Sequence, residues 1–161
     1  MPNRNPHTIV NIVVAGLGGQ GVLKASEILS TVAFIAGLDV KKSEIHGMSQ
    51  RGGSVSSDVR YGAKVHSPMV PAGEADFLVV LTESQVDVAR PMLKTGGTLI
   101  VPAAVDADKL PNKKSLNVAL LGALAKHLEF PVDVWHAAIR QKLPEKSHEA
   151  NLSAFELGRT A

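Results

Sequence analysis

The sequence predicts an α/β fold: a three-layer, Rossmann-like domain with a mostly parallel sheet and an added antiparallel hairpin. Three observations carry the prediction. Apolar, β-branched runs alternate along the chain with longer stretches of helical period. The first such run, in "NIVVAGLGGQGVLKASEIL", ends in a glycine-rich turn from which a helix pattern starts at once. A third segment, "SVSSDVRYG", instead alternates with a period of two, as a half-exposed antiparallel strand does.

Taken in order, Ile9 to Ala15 reads as a buried strand bounded by glycine. Gln20 to Ala36 reads as a helix with Val22, Ala25, Ile28, Leu29, Val32 and Ala36 on one face. Its second half is apolar nearly all round, which predicts cover on two sides. Gly37 stands where a left-handed residue commonly closes a helix. Val40 to Ile45 forms a second strand, followed by the polar loop "HGMSQRGG". In the alternating segment, Val55, Val59 and Tyr61 share a face, and "KVHS" is the expected hairpin partner. "DFLVVLT" is a further buried strand, and Thr82 with Gln85 has the spacing of a capping box opening a helix to about Leu93. The Gly96–Gly97 turn leads to the core strand "TLIVP". Beyond a linker with Pro102 and Pro111 come the unusually apolar helix "SLNVALLGALAKHLEF" and two amphipathic helices, "VDVWHAAIRQKL" and "SHEANLSAFELG".

The totals fit this reading. A chain of 161 residues forms a single domain over 1–161, with 1–8 as a flexible polar tail. That length buries about two-thirds of the unfolded surface. A hydrophobic content of 45% with 20% charged residues is that of a globular protein. The 17 basic residues are dispersed, the net charge is +2 and aromatics are 4%, so no nucleic-acid platform is expected. No apolar run reaches the roughly 18 residues of a membrane span, and "MPNRNPHT" lacks a signal peptide's apolar segment. A cytoplasmic location is expected. Cysteine is absent, which excludes disulfides, a thiol nucleophile and thiolate-held zinc or iron–sulfur clusters in this chain.

Gly16, Gly18 and Gly21 match G-x-G-x-x-G. A helix N-terminus flanked by glycines suits a phosphate, though packing of helix on strand selects the same residues. A dinucleotide site also asks for an acid at the end of the second strand. Asp39 precedes that strand, Glu44 lies in a polar stretch, and the chain has no room for a substrate domain. The second loop, "HGMSQRGGSVSS", sets Arg51 among glutamine, glycines and serines, a combination suited to phosphate or carboxylate and equally to a solvated turn. In a doubly wound sheet both loops face one crevice.

"GLGGQGV", "HGMSQRGGSVSSDVRYG" and "NVALLGALAK", in that order, resemble the gamma domain of 2-oxoacid:ferredoxin oxidoreductases. The likeness covers essentially the whole chain, and "MSQRGG" is most like the separate beta subunit of the indolepyruvate branch. The resemblance implies a subunit, inactive alone, of an enzyme that oxidatively decarboxylates a 2-oxo acid, with an arylpyruvate as first choice. Electrons pass to ferredoxin and an acyl-CoA is left. Thiamine diphosphate, magnesium and four-iron, four-sulfur clusters would then sit on a large partner subunit, since this chain has neither cysteine nor a thiamine "GDG" motif. Ferredoxin is an indirect partner, and a homodimer within a hetero-oligomer fits as well.

Carried over residue by residue, Gly16, Gly18, Gly19, Gln20 and Gly21 form the first binding loop. Ser49, Gln50, Arg51, Gly52 and Gly53 form the second. The loops would receive the phosphates of coenzyme A at the subunit interface, or only the partner itself, with Gln20 and Arg51 as the contacting side chains. Asn117 and Gly122 match the third motif: Gly122 permits close packing, and Asn117 either reaches the crevice or is satisfied by backbone. His46, His127, His136 and His148 lack ligand spacing, and Trp135 reads as core or interface, so neither a metal site nor a catalytic residue is assigned. The competing reading is a stand-alone nucleotide-binding regulatory module. The apolar helix Leu116 to Leu128 favours a subunit, because such a face needs cover from elsewhere in the fold or from another chain, a need that dimerisation meets equally well.

Overall fold

The β-branched run after Thr8 has no polar side chain other than Asn11 to hold it at the surface, and it becomes the buried strand β1 (Val10–Leu17). The computed structural model describes residues 8–46 and 53–161. The predicted tail, apart from Thr8, lies outside the described residues. After β1 come α1 (Val22–Ile35), β2 (Asp39–His46), β3 (Ser54–Gly62) and β4 (Ala75–Val80). The chain continues through α2 (Val86–Ala89), β5 (Leu93–Ile100), α3 (Leu116–Ala125), α4 (Val132–Lys142) and α5 (His148–Thr160).

The strands form one sheet in the order β2-β3-β1-β4-β5. β1, β4 and β5 are parallel, while β3 runs antiparallel to both β1 and β2. Four of the five strands therefore point one way and β3 alone reverses. The hairpin partner of β3 is β2, not "KVHS". With neighbours on both sides, β3 has no free edge for Lys64–Ser67, and Val59 and Tyr61 are fully covered rather than half-exposed.

Ile12 and Val14 of β1 face one side of the sheet and join the core built with α1, α3, α4 and α5. Trp135 and Phe155, their rings 5.4 Å apart, lie at its centre. The apolar α3 finds its cover inside the chain: Val118 to Ala125 are all buried, largely against α5, where Gly122 and Gly158 let the backbones approach. Its hydrophobicity therefore does not by itself call for a partner. The second half of α1 differs from expectation. Val32 and Ala33 are buried, yet Phe34 and Ile35 are 73% and 42% exposed. Gly37 adopts φ +84°, and the bonds Gly37 N–H to Phe34 O and Leu38 N–H to Ala33 O close the helix as the sequence predicts.

Two further expectations change. Thr82 does not cap through its side chain, and Gln85 turns away to Ser54. The predicted helix is reduced to α2 between short 3₁₀ turns, because Pro91 cannot supply the N–H that would continue it. The Gly96–Gly97 pair lies within β5 rather than before it. Pairing jumps from Ala75 opposite Leu93 to Phe77 opposite Thr98, and Gly96 absorbs the bulge at φ +80°.

The opposite face of the sheet carries Val13, Ala15, Leu78 and Val80 under α2 and the loop 63–74. Sheet side chains strap that loop down. Val65 N–H donates to Asp39 at 2.7 Å, Arg60 donates to the Ser67 carbonyl at 2.8 Å, and Val70 N–H donates to Asp58 at 2.9 Å. Asp58 is buried, and burial pushes its carboxyl above the ordinary range, against the opposing pull of Val70 N–H and Arg60. An unfolded aspartate ionises near ~3.9. The stability tied to this group is therefore fullest below that pH and falls as pH rises through the higher folded value. Asp58→Asn keeps an acceptor for Val70 N–H but removes the charge. Urea unfolding across pH ~4 to 7 should show the variant gaining on the wild type as pH rises; a constant difference contradicts this assignment.

Candidate functional site

The C-terminal end of β1 meets the start of β3 and the end of β4, and the antiparallel pairing that sets Leu17 opposite Ser54 brings the first glycine loop to the end of the second. Gly18 N–H donates to the Gly53 carbonyl at 2.9 Å, so the first loop is bonded directly to the end of the second. Ser54 Oγ donates to Gln85 Oε1 at 2.6 Å and ties the same corner to the turn after β4. Gly53 is the one assigned residue of the second loop among the described residues. Ser49, Gln50, Arg51 and Gly52 lie outside the described residues.

Within the first loop, Gly19 and Gly21 adopt φ +84° and +83°, a region that side chains rarely enter. Gln20 is used internally: Leu17 N–H donates to its Oε1 at 2.7 Å, which closes the turn. A Cβ on Gly16 would meet Gln20 Oε1 at 2.8 Å and crowd Val22 at 3.0 Å, so it would push the glutamine out of the bond that closes the turn. Gln20 thus shapes the loop through its oxygen, and it also lines the cleft beside the loop. α1 begins at Gly21 with neither a capping side chain nor an acid in its first turn. Its first N–H groups and the positive end of its dipole face the loop.

A cleft of about 440 Å³ opens beside this helix start, within the range of small-molecule sites. Gly19, Gln20, Gly21 and Leu81 form one wall, and Lys113, Lys114, Leu116 and Asn117 form the other. Two exposed lysines thus share a cleft with Gly21, the residue from which α1 starts, a combination chemically suited to an anion. The lysines are held by a built turn: Asn112 Oδ1 accepts from Lys114 N–H at 2.9 Å, and Ser115 Oγ donates to the Asn112 carbonyl. Sequence reading missed them because they sit in a linker that looked merely solvated. The signal was "NKKSLN", a capped turn carrying paired lysines immediately before the third motif. On the far side of Gly19, Lys24 bonds Glu27 at 3.0 Å and holds its carboxyl below the ordinary value.

Other residues stand apart from this cleft. Asp39 binds Val65 N–H and Glu44 pairs with Lys42 at 2.6 Å, both on an edge strand separated from β1 by β3. No dinucleotide ribose could reach them from the glycine turn. His136 meets Glu156 at 3.0 Å, and His148 meets the Leu143 carbonyl at 2.7 Å. His127 lies against Phe77. No cluster of potential metal ligands occurs among the described residues, and no described helix is long and apolar enough to cross a membrane.

Comparison with known proteins gives a consistent result. The family described as pyruvate ferredoxin/flavodoxin oxidoreductase matches residues 11–115 and 101–161. Indolepyruvate oxidoreductase subunit IorB of Pyrococcus horikoshii is 36% identical, over 92% of this chain and 93% of its own. Among solved structures, the keto/oxoacid ferredoxin oxidoreductase gamma subunit of Geobacter sulfurreducens superposes with a TM-score of 0.78 at 25% identity, over 94% of both chains. The 2-oxoglutarate:ferredoxin oxidoreductase of Magnetococcus marinus, solved with 2-oxoglutarate, coenzyme A and succinyl-CoA bound, shares the fold at TM-score 0.80 and 18% identity. There the match covers 94% of this chain but 30% of the longer one. Matched along nearly its whole length to the family and to a relative of its own size, the chain belongs to the pyruvate ferredoxin/flavodoxin oxidoreductase family, as a member of the small-subunit type.

Proposed function

We propose that this chain is the small subunit of an arylpyruvate:ferredoxin oxidoreductase, and that its glycine-loop cleft takes the phosphates of coenzyme A. The observation that carries the second part is the pairing of an uncapped helix start with Lys113 and Lys114 across one cleft. Phosphate oxygens accept hydrogen bonds from the backbone N–H groups, and the two ammonium groups supply charge. The arylpyruvate preference is supported by the likeness to an indolepyruvate oxidoreductase subunit.

The residues present do not fit the redox cofactors. Iron–sulfur clusters are held by thiolates, and this chain has no cysteine. Its part in the chemistry is therefore binding and enclosure, with thiamine diphosphate, magnesium and the clusters on a large partner chain. That partner passes electrons to ferredoxin. Phe34, Ile35, Ile45 and Val88, left exposed, offer apolar surface for such an assembly or for a second copy of this chain.

The test is reconstitution. Combined anaerobically with its large partner, the chain should support dye reduction that requires both an arylpyruvate and coenzyme A. Neither chain alone should do so. Activity by the large chain alone at the same rate overturns the proposal.

A further inference from the structure

We propose that Asn117 is the positioning residue of the phosphate loop: it clamps the Gly21 carbonyl and so fixes the direction of the first N–H of α1 beside the cleft. The inference rests on the reading of that cleft as a coenzyme A site. Asn117 reaches the loop from 96 residues away, its Nδ2 donating to the Gly21 carbonyl at 3.1 Å. Its Oδ1 accepts from Val118 N–H at 2.9 Å, which fixes which way the amide points. Only 7% of the residue is exposed although it lines the cleft. With its oxygen and one N–H engaged, the amide is held in place and acts through the loop.

The peptide plane transmits the effect. The carbonyl of Gly21 and the N–H of Val22 belong to one rigid trans unit, so fixing the oxygen fixes the direction of the donor. Val22 N–H is among the helix-start donors that have no intrahelical acceptor. The Gly21 carbonyl also accepts from Ala25 N–H at 3.0 Å, so Asn117 and the first helical bond hold it from two sides. The fit is close: a Cβ on Gly21 would collide with Asn117 Nδ2. Asn117 also lies one turn beyond Lys113, so the same bond keeps both walls of the cleft in register.

The experiment is a calorimetric titration of the assembled complex with coenzyme A in the absence of 2-oxo acid, for wild type, Asn117→Asp and Asn117→Ser. Asn117→Asp keeps shape and the acceptor for Val118 but sets oxygen against oxygen at Gly21. Asn117→Ser removes the reach without adding charge. The Kd for coenzyme A should rise about tenfold or more in both. The KM for the 2-oxo acid should stay within about twofold, since a positioning role on one ligand does not remove uniform binding of the other. An unchanged Kd in either assembled variant overturns the assignment. So does failure of both variants to assemble, which would make Asn117 a folding residue. A wild-type complex that binds no coenzyme A would instead remove the reading of the cleft, and the clamp with it.

Discussion

Gly158→Ala should destabilise this protein by about 3 kcal/mol or more, at or beyond the upper end of the usual cost of overpacking a core. Alanine is the better helix former, so on an open helix face the same change would gain about 1 kcal/mol. Here the added Cβ runs into the Ala119 carbonyl and lies 3.0 Å from Ala123 N. Backbone atoms cannot rotate out of the way, so α3 and α5 must separate, and both carry buried core side chains. Gly37→Ala is the control. Its Cβ would meet nothing within 4 Å, so only the left-handed conformation at φ +84° is penalised, by about 1–2 kcal/mol. Denaturant unfolding of the two variants should rank Gly158→Ala clearly lower. Equal midpoints would contradict the close crossing of α3 and α5.

Replacing Lys113 and Lys114 together with glutamine should raise the Kd for coenzyme A by about 10- to 100-fold, from the loss of charge-assisted bonds worth roughly 1.5–3 kcal/mol each, only partly replaced by neutral ones. Thermal stability should barely move, because the surrounding turn is held by Asn112 and Ser115, which stay. The KM for the 2-oxo acid should be unaffected. The wild-type affinity should fall with added salt and the variant's much less, since screened charge is the removed element. An unchanged Kd with the same salt dependence would mean that the cleft does not receive an anion.

Much of the fold was legible because its signals are local. Glycine after a β-branched run set β1 and α1, Gly37 closed α1, and the unbroken apolar stretch set α3. Strand partnership was not local. "KVHS" is adjacent in sequence to β3, but β3 lies between β1 and β2, and nothing in a period-two pattern says which neighbour supplies the hydrogen bonds. Thr82 and Gln85 failed as a cap because a distant serine, Ser54, engages the glutamine.

The site divides the same way. Glycine spacing announced the loop, whereas its bond to the second through Gly18 and Gly53 extends the antiparallel pairing of β1 with β3, which no local signal gives. Lys113 and Lys114 were invisible because solvated lysines and ligand-binding lysines look alike until a cleft is placed before them. Gln20 carries a role the spacing does not announce: its oxygen closes its own turn while the residue lines the cleft.

As proposed above, this chain works as one part of a cofactor-bearing enzyme whose cofactors lie elsewhere. The most direct test is anaerobic purification of the tagged chain from its own cells, with thiamine diphosphate and iron measured in the product. Both should be present, together with a large cysteine-rich chain in fixed proportion. Recovery of this chain by itself, with neither thiamine diphosphate nor iron, would contradict it.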